Sequence, residues 1–538
     1  MFARSEGKTG LLLAFLAGSW AWSAASGQVY QAAIGSPLLE ITHDIISTRD
    51  CGFQIMGAEL GSGSNVRMSS ARLDADANVL WTRTYSTSTS GATIGFTLFE
   101  SVASDDIVLG AESLLGTPFP QRRKLIVRTD AAGTQLWAVM LPGTSATSSV
   151  ATGTPGLGVS VGEVAGALVA SVNRILNVNA VQRVGVLSVL NRAGDLEFSS
   201  RYVPAGGDTT ELDFAQVRAP KFPAGTTDIL VVGNIHSGTG VYGAFAMRTD
   251  VAGNIIWARE YRHETPGIST TADGFDLDEN GDIVFSGRRG IAIPGQLSPV
   301  ETMVAKIDAI TGLPIWALDV DGFLNGYQAV TVAPDGSVLV AGDYRVGNTT
   351  AASVVQISAS GTFQTQRIYG SQVAGAIVHA NAVINASLWG GFAIAGITEE
   401  FGLGGQDNYL IKMYSTFESG CNEDRISPNT ARVELGSSAR NPQVVNDPAY
   451  LLLEAIEITP VWDTKTSCFK SLCVGDLNGD GLVEDSDFVI FAFAYDTLVC
   501  PTLPAIYSCC PADFNDDGLV DDADFVQFAA AYDLLVCP

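Results

Sequence analysis

Two stretches near the C-terminal end carry the residue types and spacing best suited to chemistry. GDLNGDGLVEDSDF begins at residue 475 and ADFNDDGLVDDADF at residue 512, the second repeating the first 37 positions on. Calcium takes about six to eight hard oxygen ligands, and a loop of about twelve residues supplies them from positions 1, 3, 5, 7, 9 and 12, with glycine at position 6 where the chain turns sharply. In the first stretch Asp476, Asn478 and Asp480 take positions 1, 3 and 5, and Gly481 is the turn. Leu482 then offers its carbonyl at 7, Glu484 stands at 9 to act through water, and Asp487 closes the set at 12. The second stretch repeats the order as Asp513, Asn515, Asp517, Gly518, Leu519, Asp521 and Asp524. Two calcium ions are therefore expected, one per loop. A pair of acidic turns without metal is the weaker explanation, because the like charges repel when nothing neutralises them.

Each loop must be positioned by the element that follows it. Phe488, Phe491, Ala492 and Tyr495 recur at helical spacing, as do Phe525, Phe528, Ala529 and Tyr532, so each loop is expected to open into a helix with an aromatic stripe. The loops resemble EF-hands. Their tandem arrangement, with Asp at position 12 and no regular entering helix, is similar to a type I dockerin, a module that anchors extracellular bacterial enzymes and structural proteins to cohesin partners. The resemblance covers about an eighth of the chain and implies a small α-helical domain over 468–538 with a cohesin-like or other extracellular protein partner. Type I dockerins commonly carry Ser-Thr-like pairs at loop positions 10 and 11 and a base further along the helix. Here those positions are Asp485-Ser486 and Asp522-Ala523, and FVIFAFAYD and FVQFAAAYD carry no Lys or Arg.

Seven of the eight cysteines lie beyond residue 420. Cys473 and Cys510 stand three residues before the loops, and Cys500 and Cys537 four residues after FVIFAFAYD and FVQFAAAYD. Disulfides are favoured over zinc, which usually asks for close C-x2-C pairs or nearby His. The pairing stays open between Cys473–Cys500 with Cys510–Cys537 and cross-links between the repeats, while Cys468 pairs with Cys509 or Cys421. The tail offers little apolar surface, so calcium and disulfides are expected to supply what its core lacks.

Ahead of the tail, residues 28–420 repeat one pattern. An apolar run ending in Gly appears as FQIMG (53–57), DIVLG (106–110), ILVVG (229–233), DIVFSG (282–287), SVLVAG (337–342) and GFAIAG (391–396), with a weaker GALVAS at 166–171. A turn and an aromatic follow as DADANVLW (74–81), DAAGTQLW (130–137), NRAGDLEF (191–198), DVAGNIIW (250–257) and DAITGLPIW (308–316). Asp bonds its own turn backbone and Gly accepts positive φ, so each unit reads as a β-meander with a tight hairpin, its aromatic directed into an inter-sheet core. Seven units recurring every 53 to 62 residues predict a mainly β chain, a seven-bladed β-propeller. The stretch resembles bacterial extracellular β-propellers whose blades carry a D-x-x-G-x-x-x-W turn. DAITGLPIW in particular looks like the tryptophan-docking motif of quinoprotein propellers, a packing device between blades, but no adjacent cysteines or calcium site of a quinone pocket accompany it. Residues 421–467 read as a linker or blade-closing segment, with one or two strands in AYLLLEAIEITPVW.

Other chemistry is sparse in the propeller. His43-Asp44, His236, His263 and His379 share no motif with a nucleophile; adjacency in Asp105-Asp106 and Glu399-Glu400 does not supply the geometry of a glycosidase pair, and Asp105 and Asp106 read as a solvated turn before a strand. The formal charge of −27, thirteen acids of it beyond residue 473 with no base, excludes nucleic acid and favours cations. Arg4 and Lys8 before LLLAFLAGSWAW (11–22), with small residues to Gly27, predict a signal peptide over 1–27 and a secreted or cell-surface protein. No later apolar run of roughly 18 residues predicts a transmembrane anchor. The expectation is a non-catalytic propeller with an unknown ligand and a calcium-binding attachment module; the alternative is an extracellular glycoside hydrolase with a dockerin-like anchor.

Overall fold

The computed structural model describes most of residues 29–497 and 512–533; residues 1–28, 146–159, 204–210, 219–227, 322–328, 498–511 and 534–538 and some shorter segments are outside it. The chain is mainly β, in a β-propeller arrangement, with two helices at its C-terminal end. The described strands form seven sheets, each built on a run of strands consecutive in sequence to which strands from distant parts of the chain are added. Their innermost strands touch in a closed ring: Leu39–Ser47, Thr93–Glu100, Ser160–Val164, Glu211–Arg218, Gly274–Leu277, Ala329–Val332, Val378–Ala386, and back to the first. The sheets are numbered 1 to 7 in that order below.

The repeated sequence signals have local causes. At two of the apolar runs the closing Gly faces a carbonyl of the innermost strand: a Cβ on Gly57 would lie 1.7 Å from the Ile41 oxygen, and one on Gly396 1.8 Å from that of His379. That approach occurs where the innermost strand bulges, with register shifts between Thr42 and Asp44 and between Ala380 and Ala382. In the hairpins, Asp130 Oδ1 accepts from the N–H groups of Ala132 at 3.0 Å and Thr134 at 2.8 Å, and Gly133 takes φ +80°. Asp250 repeats these bonds with Ala252 and Asn254. DADANVLW has no glycine, and Ala77 adopts φ +64° in its place.

Each sheet docks on the turn of the next. Trp81 Nε1 donates to the Ala131 carbonyl at 3.1 Å, Trp137 to Arg192 at 2.9 Å, Trp257 to Ala309 at 3.1 Å and Trp316 to Ala359 at 3.0 Å. DAITGLPIW thus acts as a packing device between sheets. The aromatic was expected inside an inter-sheet core, yet Trp81, Trp137 and Trp257 are only half-buried over the neighbouring turn. The fully buried residue is a tyrosine four positions on: Tyr85, Tyr202 and Tyr261 donate to the carbonyls of Gly133, Gly253 and Gly312.

Ring closure uses both parts of the chain. In sheet 7, Val29–Gly35 pairs with Asp407–Met413, so one N-terminal strand completes three late ones. Here Tyr30 and Lys412 both donate to the Ala75 carbonyl at 3.3 Å, and the ammonium of Lys412 also sits 5.7 Å from the Tyr30 ring centre.

The segment expected as a linker or closing strand does something more extensive. Glu423–Ile426 adds a fifth strand to sheet 6, Thr430–Val433 a sixth to sheet 5, Leu435–Ala439 a fifth to sheet 4 and Gln443–Asn446 a fifth to sheet 3. Leu451–Leu453 follows on sheet 2, Ala455–Ile458 on sheet 1, and Asp463–Lys470 on sheet 7 beside Val29–Gly35. All seven pairings are antiparallel, and together they form a belt that visits every sheet in reverse order. Side chains fasten it in places: Arg440 pairs with buried Glu260, and Arg367 with Glu423 at 3.3 Å. The last belt strand crosses the expected boundary at residue 468.

Candidate metal centre

The tail folds as helix α1, Asp485–Thr497, and helix α2, Asp522–Tyr532, around a small core of Leu477, Val483, Phe491, Ala494, Ala512, Val520 and Phe528. Phe491 and Phe528, equivalent positions of the two repeats, stack with centroids 4.8 Å apart. The expected stripe is shifted, since Phe491 and Ala494 are buried while Phe488 is exposed, and Phe528 is buried while Phe525 is exposed.

Position 12 organises each loop. Asp487 is fully buried and its two oxygens accept from the N–H groups of Leu477 at 2.7 Å and Glu484 at 2.9 Å, joining loop positions 2 and 9. Asp524 does the same for Phe514 at 2.7 Å and Asp521 at 3.0 Å. Asp521 caps α2 in a reciprocal capping box with Asp524.

The other predicted ligands divide. Asp476 and Asp513 are buried, Asp521 is half-buried, Glu484 is exposed, and Leu482 and Leu519 expose their side chains as residues contributing only a carbonyl would. Asn478, Asp480, Asn515 and Asp517 lie outside the described residues. Among the described residues no three acidic, histidine or cysteine side chains converge as a metal-binding group. The expected cysteine pairings also fall outside the described side chains.

One relation between the repeats was not read from the sequence. Tyr495 bonds Asp522 and Tyr532 bonds Asp485, two contacts related by the 37-residue phase. The hydrogen bond to the neighbouring carboxylate, with its charge, raises the pKa of each phenol. Loop position 10 of each repeat thus receives the tyrosine of the other. The recoverable signal was a polar tip ending each aromatic stripe and an acid at the same phase.

The propeller acids and histidines are mostly structural. Asp44 accepts from the Leu98 N–H of sheet 2 at 3.0 Å, and burial pushes its carboxyl up to about 6 against its hydrogen bonds. Asp276 accepts from Thr331 and Val332 of sheet 6 at 3.1 and 3.0 Å, another inner-strand clasp. Burial lowers His43 to about 4, and His236 stacks on Tyr242. His263 Nε2 lies 3.5 Å from Asp319, which also pairs with Arg289 at 3.0 Å. His379 Nδ1 is 2.7 Å from Asp343. Asp105 and Asp106 pair with Arg49 and Arg128, and Asp105 stays largely exposed, as expected of a solvated turn acid. Among the described residues no helix is long and apolar enough to cross a membrane.

No family model matches this chain, and no curated protein matches it. Among solved structures it is similar to a polysaccharide lyase described as an ulvan lyase, bound to a glucuronate and rhamnose-3-sulfate saccharide: TM-score 0.42, 10% identity, covering 72% of this chain and 95% of the other. A second structure of the ulvan lyase gives 0.41 and 11% over the same shares. A xylan β-1,4-xylosidase from Bacillus halodurans gives 0.26 and 8%, over 77% of this chain and 99% of the other. At such scores the likeness assigns neither substrate nor reaction to this chain.

Proposed function

We propose that this is a non-catalytic extracellular protein whose seven sheets serve as the blades of a seven-bladed propeller, attached to a partner protein by a dockerin-like module that holds two calcium ions. The observation that carries the reading is the duplication of loop geometry. Asp487 and Asp524, 37 residues apart, tie the same two loop positions through the same two carboxylate oxygens. Oxygen-bearing side chains spaced as Asp476, Asn478, Asp480 and Glu484, and as Asp513, Asn515, Asp517 and Asp521, then supply oxygens at the remaining side-chain positions.

The partner surface is the outer side of the two helices. Val489, Phe493 and Val526 are 65%, 54% and 67% exposed, and they face away from the core that Phe491 and Phe528 fill. Both helices carry acids in the first turn and no base in the last, so the partner offers an apolar patch with a cationic or neutral rim. With Asp485 and Asp522 engaged by the tyrosines, recognition shifts from loop position 10 to this apolar face. In favour of the non-catalytic reading, inner-strand Asp44 and Asp276 accept backbone N–H bonds from the next sheet, which engages these two acids in binding sheets together.

The test uses full-length protein immobilised with calcium and offered a mixture of extracellular proteins. Capture of a discrete partner, its release by chelator, and its loss in V489D/V526D are expected. Calcium binding of fewer than two ions to the tail, or unchanged capture by V489D/V526D, would refute the respective half of the proposal.

A further inference from the structure

At the seam where the N-terminal strand closes the ring, two carboxylates from distant parts of the chain meet in the interior. Glu40 begins the innermost strand of sheet 1 and Asp407 begins the strand that Val29–Gly35 joins; both are 0% exposed. A Cβ built on Gly35 would lie 2.3 Å from Asp407 Oδ1 and 2.9 Å from Glu40 Oε2, so the two oxygens are no more than about 5 Å apart. Two oxygens on one calcium ion, each about 2.3 to 2.6 Å from it, have the same upper limit of separation.

Two further observations point to a ligand there. Glu40 Oε1 accepts from the Ser36 hydroxyl at 2.5 Å, but buried Glu40 Oε2 has no hydrogen-bond partner among the described residues. Native structures rarely leave such an atom unsatisfied, and a charged one least of all. The space is also kept open by glycine on two sides: side chains at Gly35 and Gly402 would strike Asp407. Burial pushes the Glu40 carboxyl up to about 7; the Ser36 bonds oppose this, and the charges of Asp407 and Glu59 add to it. The nearby base is exposed Lys465 of the belt, whose Nζ reaches the Gly402 carbonyl at 3.5 Å.

We propose that the Glu40 and Asp407 carboxylates hold a calcium ion at the ring-closing seam, separate from the two tail loops, with backbone oxygens and water completing its coordination. The ion joins the first innermost strand to the last sheet of the ring and so acts as a clasp on closure.

Calcium stoichiometry of the full-length protein, by equilibrium dialysis, decides the matter. The wild type is expected to bind three ions, E40Q/D407N two, and D476A/D487A/D513A/D524A one, because that variant lacks only the tail ions. Retention of one ion by the tail variant, lost when E40Q is added, supports the clasp even if E40Q/D407N alone folds poorly. No ion on the tail variant, or equal binding by wild type and folded E40Q/D407N, overturns it and leaves the seam held by a proton or by Lys465. The tail reading is scored separately by the two ions that E40Q/D407N keeps.

Discussion

The propeller and the tail both join repeats, but with different materials. Between propeller sheets the contact is mostly apolar, with an indole or phenol donating to a backbone carbonyl of the next turn. Clusters of ten or more buried residues lie between several sheets. In the tail, seven buried residues form the core, and the loops are drawn together by two buried carboxylates. Hydrophobic burial stabilises the first by area, whereas the second depends on charge being satisfied. Repeat proteins therefore need not share one source of cohesion along a chain, and cation supply should divide this molecule into a part that one ion only clasps at its seam and a part that depends on its ions throughout.

The largest effect should come from removing calcium and reducing the protein. Protease cleavage within 485–533 is expected to rise many-fold while the β circular dichroism of the propeller persists. Equal resistance with and without chelator and reductant would erase the contrast between the two regions. Next in size, Trp316→Ala removes a buried indole and its bond to Ala359, and should cost roughly 3 to 5 kcal/mol in the β transition. Calcium affinity of the tail should stay unchanged in the same protein, and a parallel fall would show that the regions are coupled.

Asp524→Ala works from the other side. It strips an acceptor from the N–H groups of Phe514 and Asp521, costing the tail roughly 2 to 4 kcal/mol and one calcium ion while sparing the β transition. On the E40Q/D407N background, calorimetric binding at two sites in this variant would show that position 12 is not a ligand. The smallest effect is titration of His379. Burial opposes its charge, but the hydrogen bond and charge of Asp343, with Glu399, outweigh that and raise its pKa. The stabilisation is full below the unfolded value of about 6.5 and is lost as pH rises through the folded value. Urea midpoints measured from pH 5.5 to 8.5 should fall across that window in wild type and lose the slope in His379→Gln.

The parts of this molecule that were legible in the sequence are those where one residue type has one local cause. Asp250 and Gly253 announce a hairpin because the carboxylate bonds the turn and the glycine takes φ +81°. Gly57 marks a carbonyl 1.7 Å from where a side chain would begin. The loop acids were legible for the same reason, since the spacing Asp476 to Asp487 is a ligand order in itself. The belt was not, because strands of three to five residues such as Leu451–Leu453 and Thr430–Val433 pair through backbone groups and need no alternation. Nor were Tyr495–Asp522 or Glu40 beside Asp407, whose meaning arises only when separate repeats or distant strands meet.

The place of Val29–Gly35 between Asp407–Met413 and Asp463–Lys470 has a consequence in time. The strand made first borders two made near the end, and Tyr409 reaches Gln31 across 378 residues of sequence. Contacts of such separation form slowly, after the intervening chain is ordered. The sheets follow one another from first to last along the chain, but the belt then runs from sheet 6 back to sheet 1, so the fifth strand of sheet 1 is supplied only after every sheet's own strands have been made. Assembly of this protein is thus a forward count followed by a backward one, and the first strand is locked only when both are finished.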